Sequence, residues 1–328
     1  MSTFDSNNTG SNDTGSAPTT ARSTHTSVSS RFRIPTVVQF ALTALAWGAS
    51  FLFIKIGLEG LSPGQVVLAR LGCGSLTLLL ICAITRQAMP RDRRTWLHLF
   101  LTAIMLCVVP FLLYSWAEQH ISSGLASIYN ATTPLMTTMF AMIALRSEPR
   151  TLSRTIGLLL GFVGVLVVLA PWRGLAEAGL MGQLACLGAT SCYGMGFIYL
   201  RRFITPLGLP ALTVACGQVT LGALVMLLLT PALATGPVTL TWPVVVSMIL
   251  LGAVGTGLAY VWNTNVVTHW GATNASTVTY LTPIVGVALG VLLLGERLTW
   301  SEPVGALIVI LGIATSQGRL EGLVARGR

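Results

Sequence analysis

The sequence predicts an all-α membrane protein of ten transmembrane helices, arranged as two inverted five-helix repeats. Three observations carry that prediction. The 328-residue chain is 53% hydrophobic and 9% charged, with a mean hydropathy of +0.76, which leaves too little polar surface to cover a water-soluble globule. Its uncharged runs are long enough to be spans, since crossing about 30 Å of hydrocarbon takes roughly 20 helical residues. The second half of the chain also repeats motifs of the first.

Residues 1–34 are dominated by Ser, Thr, Asn and Gly, with almost nothing apolar to bury, and are expected to form a disordered cytoplasmic tail. They lack the apolar core of a signal peptide, so the first span should act as its own uncleaved insertion signal. Asn7-Asn8-Thr9 and Asn12-Asp13-Thr14 match the glycosylation pattern, but on the cytoplasmic side they would stay unmodified.

The expected spans are 37–58, 63–85, 96–117, 122–145, 154–171, 179–200, 208–230, 243–265, 272–294 and 302–317. Between Phe203 and Gly295 there is no Asp, Glu, Lys or Arg, so that run is divided at Pro231, Gly236-Pro237 and Trp270-Gly271, which punctuate helices. The fifth and tenth spans are the shortest. Cys73, Cys82, Cys107, Cys186, Cys192 and Cys216 all fall within spans without metal-ligand spacing, and are small packing residues in this scheme. No metal or cofactor is expected.

Orientation follows from the distribution of basic residues. With the N-terminus cytoplasmic, fifteen arginines fall inside: Arg22, Arg31, Arg33, Arg86, Arg91, Arg93, Arg94, Arg146, Arg150, Arg154, Arg201, Arg202, Arg319, Arg326 and Arg328. Outer loops hold only Arg173 and Arg297, and Lys55 and Arg70 lie within spans. The net charge of +9 and the pI near 9.8 are therefore a topology signal rather than a sign of nucleic-acid binding.

The duplication is explicit. ASIYNATTPL at 126–135 aligns with ASTVTYLTPI at 275–284, matching Ala126, Ser127, Thr133 and Pro134 with Ala275, Ser276, Thr282 and Pro283. Thr95-Trp96 and Tyr114-Ser115-Trp116 align with Thr241-Trp242 and Tyr260-Val261-Trp262, and Trp47-Gly48 and Phe51 align with Tyr193-Gly194 and Phe197. Downstream, Glu148, Thr151, Gly157 and Gly164 match Glu296, Thr299, Gly305 and Gly312. Residues 35–172 form the first repeat, 173–318 the second, and 319–328 a cytoplasmic C-terminal tail. An odd number of spans per repeat makes the copies enter the membrane in opposite senses, an arrangement that lets one site face each side in turn. The function it implies is transport.

The ten spans, the duplication, Trp-Gly-Ala-Ser-Phe at 47–51, Ala69-Arg70, and two Thr-Pro helices followed by Glu148 and Gly295-Glu296-Arg297 resemble the EamA family of the drug/metabolite transporter superfamily. The resemblance covers residues 35–318 and is more specific for fold than for cargo. It implies a central cavity lined by the first, third, fourth, sixth, eighth and ninth helices.

Candidate substrate-binding residues follow from intramembrane polarity. Asn130, Thr133, Thr279 and Thr282 are tolerable where they face other helices or a wet cavity; alternatively they only tie helices together. Pro134 and Pro283 are expected to kink their helices near Asn130 and Thr279. Tyr114 and Glu118 lie one turn apart on one face, as do Tyr260 and Asn263, while Trp47, Ser50 and Tyr193 come from the first and sixth helices. Aromatic walls with a few amides and hydroxyls suit small neutral or zwitterionic molecules with an apolar part. Trp96 and Trp242 instead suit an interfacial aromatic belt. Arg70 could attract a substrate carboxylate, or pair with Glu118 or backbone carbonyls; Lys55 could do the former or snorkel outward.

No Asp or Glu lies at the middle of a span. The small multidrug exporters of the same superfamily depend on a Glu in their first helix, which lowers cationic-drug efflux as a reading. An intramembrane enzyme would need a nucleophile with its base, or clustered ligands, and His25, His98, His120 and His269 are not deep in any span. The expectation is therefore an exporter of small metabolites, most readily amino acids or related compounds, in the plasma (inner) membrane with both termini cytoplasmic. An exchanger or importer of anionic metabolites such as sugar phosphates, a drug efflux protein, and a membrane receptor or scaffold are the alternatives. The expected partners are a small-molecule substrate and the lipid bilayer, with no nucleic acid, for a monomer or homodimer.

Overall fold

The computed structural model describes residues 34–144, 151–170, 172 and 179–317, and among them there is helix but no strand. Residues 1–33 of the expected 1–34 tail, Glu148 and the C-terminal tail at 319–328 lie outside the described residues. Helix α1 is Thr36–Gly57. Helix α2, Pro63–Ile84, opens on a capping box in which Ser62 Oγ accepts from the Gln65 amide and Gln65 Oε1 from the Ser62 amide, satisfying two otherwise orphan donors. Helix α3 runs Arg93–Ala117, capped by Asp92, whose carboxylate takes the Thr95 amide at 3.0 Å.

The fourth expected span is two helices. Helix α4, Ser123–Asn130, and helix α5, Thr133–Ala144, are separated by a turn at Ala131-Thr132. Pro134 has no amide to offer the Asn130 carbonyl, and the Thr133 hydroxyl takes that carbonyl at 2.8 Å instead. Thr132 does the same for Tyr129 at 2.8 Å. Helices α6 (Leu152–Leu169), α7 (Leu180–Tyr199) and α8 (Ala211–Leu228) follow. Helix α9 runs Trp242–Gly271, where Gly271 leaves helical geometry at φ 79°. Helix α10, Val278–Leu294, and helix α11, Ser301–Ser316, complete the fold.

The second copy departs from expectation. Its discontinuity falls at Ser276-Thr277, ahead of Thr279, and α10 continues through Pro283. The two copies therefore break their fourth helices at different repeat positions.

Six of these helices, α1, α2, α3, α6, α8 and α9, are long and apolar enough to cross a membrane, while α10 and α11 are shorter apolar helices. Both α3 and α9 contain a π-helical stretch, Ile104–Val108 and Leu250–Leu258, beginning at equivalent repeat positions. In α3 it precedes Pro110, which leaves the Leu106 carbonyl without its helical donor. In α9 it contains Gly252, Gly255 and Gly257, which loosen the helical ladder.

The halves interlock reciprocally. Helix α1 packs on α10 and α7 on α5; α2 packs on α9 and α8 on α3. Helices α6 and α11 pack antiparallel, so closely that a Cβ on Gly157 would lie 2.3 Å from the Ser316 nitrogen and one on Gly305 2.7 Å from the Val168 nitrogen. Small residues permit this backbone-to-backbone approach where lipid supplies no hydrophobic drive between helices. The same logic makes Gly48 contact α10, where its added Cβ would meet Val285 at 2.5 Å, and makes Gly194 contact α5 beside Met136 and Thr137.

Candidate functional site

Side chains from both halves meet along the interior faces of α1, α2, α3, α7, α8 and α9. Tyr114 on α3 stacks on Tyr193 of α7, with ring centroids 6.2 Å apart, and meets Phe51 of α1 edge-on at 5.5 Å. Its hydroxyl donates to Asn130 Oδ1 at 3.3 Å, so the last residue before the α4–α5 break joins the same set. Trp47 of α1 meets Tyr260 of α9 edge-on at 6.5 Å. Trp47 with Tyr193, and Tyr114 with Tyr260, are matched positions of the repeat alignment, and the fold brings all four rings into one set of contacts.

Arg70 is the charged member. It is half-buried, its guanidinium carbon stands 3.6 Å over the Phe111 ring, and its Nε donates to Thr256 Oγ1 at 3.1 Å. Thr256 belongs to the π stretch of α9 and donates in turn to the Leu251 carbonyl at 3.2 Å. The pairing of Arg70 with Glu118 or with backbone carbonyls, weighed from the sequence, is not what holds it. A cation over an aromatic face is attracted by the ring quadrupole, and the Nε bond fixes the plane of the guanidinium. Among the described residues its two terminal amino groups carry no hydrogen bond, and Tyr193 and Tyr260 lie within its electrostatic reach. A planar group with open N–H donors in apolar surroundings is suited to a carboxylate.

Other candidates are satisfied locally. Ser50 Oγ bonds the Ala46 carbonyl at 2.8 Å, Thr279 the Ser276 carbonyl at 2.8 Å, and Thr282 the Val278 carbonyl at 3.1 Å. Thr282 and Ser50 are buried, in the contacts of α1 with α10 and α9. Asn263 is half-buried on α9, one turn beyond Tyr260. Glu118 lies a turn beyond Tyr114 and is fully enclosed. Lys55 bonds the backbone carbonyls of Glu118 and Ile121, at 2.5 and 2.9 Å, so it ties helix ends together rather than snorkelling.

Phe111, Thr256 and Gln218 were not singled out from the sequence. Gln218 is buried on α8 with its amide beside the Tyr260 hydroxyl; an amide in a long uncharged run was the available signal. A separate cavity of about 430 Å³, lined among others by His120, Gln183, Arg297 and Glu302, lies where α4, α6, α7 and α11 meet. None of the candidate residues named above lines it.

The description "EamA-like transporter family" matches residues 34–170 and again 180–316. The chain belongs to the EamA-like transporter family. Two separate matches of one family description give the duplication independent support, and the apolar helices make the protein a multi-pass membrane protein of a transporter family. Among its relatives is an uncharacterised transporter of Bacillus subtilis (strain 168), 26% identical, with the match covering 84% of this chain and 89% of that one. A protein of Streptantibioticus cattleyicolor named "Probable terminal-alkyne amino-acid exporter" is 24% identical, covering 86% and 93%. One of Escherichia coli (strain K12) named "Probable amino-acid metabolite efflux pump" is 23% identical, covering 83% and 91%. A solved crystal structure with 16% identity superposes with a TM-score of 0.62 over 86% of this chain and 97% of that one, which shows a shared fold.

Proposed function

We propose that this EamA-like protein is a ten-span exporter of amino acids or closely related metabolites, working by alternating access between two five-helix halves of opposite orientation. The observation that carries the reading is Arg70, with free donors, among aromatic residues supplied by both halves. In it Arg70 binds the cargo carboxylate, while Tyr114, Tyr193, Tyr260 and Trp47 enclose the apolar part and Asn130 and Asn263 offer amides. The names of the relatives in S. cattleyicolor and E. coli support the substrate class. The distribution of arginines supports cytoplasmic termini in a plasma or inner membrane, which puts the ends of α1, α3 and α10 on the outer side. The open guanidinium equally suits other small organic anions, and exchange of anionic metabolites is the second reading.

Counterflow of radiolabelled amino acids into proteoliposomes preloaded with a metabolite panel tests it. Saturable exchange of carboxylate-bearing amino acids is the expected result. Exchange of phosphorylated compounds alone would install the second reading, and no exchange from folded protein would overturn both.

A further inference from the structure

The corner between α3 and α4 carries a buried acid that the cargo site does not use. Glu118 has no exposed surface, and among the described residues neither of its carboxyl oxygens has a hydrogen-bond partner. Around it two charges are held by backbone. Lys55, from α1, donates to the Glu118 and Ile121 carbonyls at 2.5 and 2.9 Å, at the C-terminal end of α3. Glu296, just beyond α10, accepts the Ser123 and Gly124 amides at 2.7 and 2.9 Å, at the N-terminal end of α4. Each charge complements the helix end it meets, and together they fasten the ends of α1, α3, α4 and α10.

The chemistry of this corner depends on the Glu118 proton. An ionised carboxylate buried without donors is strongly disfavoured, and an ammonium beside one would bond it in preference to neutral carbonyls. The observed pattern, with Lys55 on carbonyls and Glu118 unbonded, is that of a neutral carboxylic acid. The titratable and charged groups facing it are Lys55 on α1, Arg70 on α2, Tyr114 on its own helix, Cys186 on α7 and Glu296 after α10. Space around Glu296 is already filled: a Cβ on Gly290 would lie 2.3 Å from its Oε2 and one on Gly124 3.2 Å. The fastening therefore tolerates little rearrangement.

We propose that Glu118 is a proton-binding site, and that loss of its proton opens the end of the molecule where α1, α3, α4 and α10 meet. Deprotonation draws Lys55 from the carbonyls toward the new carboxylate and sets an anion against Glu296, loosening both contacts. Protonation restores them. The proton-binding step stands on this corner alone; that the opening serves cargo movement rests on the transport reading above. A cycle that opens this end through Glu118 is then sensitive to protons at each turnover.

Two measurements test the site without cargo. Infrared difference spectra of the protein in lipid should show the C=O stretch of a protonated carboxyl near neutral pH, absent from Glu118→Gln. Pulsed electron–electron distances between spin labels at Gln119 and Leu298, both exposed, should lengthen as rising pH removes the Glu118 proton, while Glu118→Gln stays short throughout. His120 lies two residues on with its ring against Trp116, and His120→Gln should keep the transition. Wild-type distances independent of pH, a band that survives Glu118→Gln, or a transition lost with His120→Gln would each overturn the proposal. The wild-type titration needs no variant, so a misfolded Glu118→Gln protein leaves the test intact. Failure of cargo exchange with an intact pH transition would remove the transport reading and leave the proton site standing.

Discussion

Arg70 shows how a single charge is made acceptable inside an apolar bundle without being neutralised. Phe111 takes one face of the guanidinium and Thr256 takes Nε, leaving the end of the fork for the cargo carboxylate in the proposed reading. Lysine would keep the charge and lose both the planar fork and the ring contact. Arg70→Lys is therefore expected to raise KM for carboxylate cargo about tenfold or more in counterflow. Thr256→Val, which removes only the Nε acceptor, is expected to raise it a few-fold. Equal effects of both variants on a cargo lacking a carboxylate would show that the change was one of packing. From the sequence, Arg70 was visible as an intramembrane cation, but its partners were not. Thr256 looked like one hydroxyl in a glycine-rich run, and nothing in its own neighbourhood pointed to a residue 186 positions away.

At the scale of helices, the glycines divide into those that make contacts and those that do not. A Cβ on Gly312 would lie 2.5 Å from the Gly161 nitrogen and 2.7 Å from the Gly157 carbonyl oxygen, backbone atoms that cannot turn aside, whereas one on Gly72 would meet nothing within 4 Å. Gly312→Leu is expected to part α6 from α11 and destabilise the protein by about 1–3 kcal/mol or more. Gly72→Ala should be neutral or slightly stabilising, since it removes helix-disfavoured backbone freedom. Thermal unfolding followed by size-exclusion chromatography in detergent would separate the two. The spans were legible to within a few residues for α1, α2 and α6, where charge and caps mark the ends. In the fourth, Pro134 marked an interruption near Asn130, but hydropathy could not show that it separates two helices, with Thr132 and Thr133 satisfying the carbonyls at the break.

For the whole molecule, the reciprocal packing of each half's first helix on the other's fourth, and of each second helix on the other's third, fits the proposed alternating access if the halves rock about the α6–α11 contact. The Gln39–Asn265 hydrogen bond at 3.0 Å links the start of α1 to the last turns of α9, at the opposite end from Lys55 and Glu296. If transport needs that end to part, cysteines at 39 and 265 joined by a short bifunctional reagent should abolish counterflow, and a reducible reagent should allow its recovery on reduction. Undiminished exchange in the cross-linked protein would exclude movement there. By itself the sequence determined the solvent, the approximate helix lengths, the duplication and the family, because hydrophobicity, charge and repetition are properties of the chain read in order. Only the tertiary structure decided that Arg70 meets Phe111 and Thr256, that Lys55 bonds the end of α3, and that Glu118 is sealed from solvent without a partner. Each of those depends on contacts between distant segments, and burial and hydrogen bonding are set by which helix faces pack together rather than by any residue's neighbours in sequence.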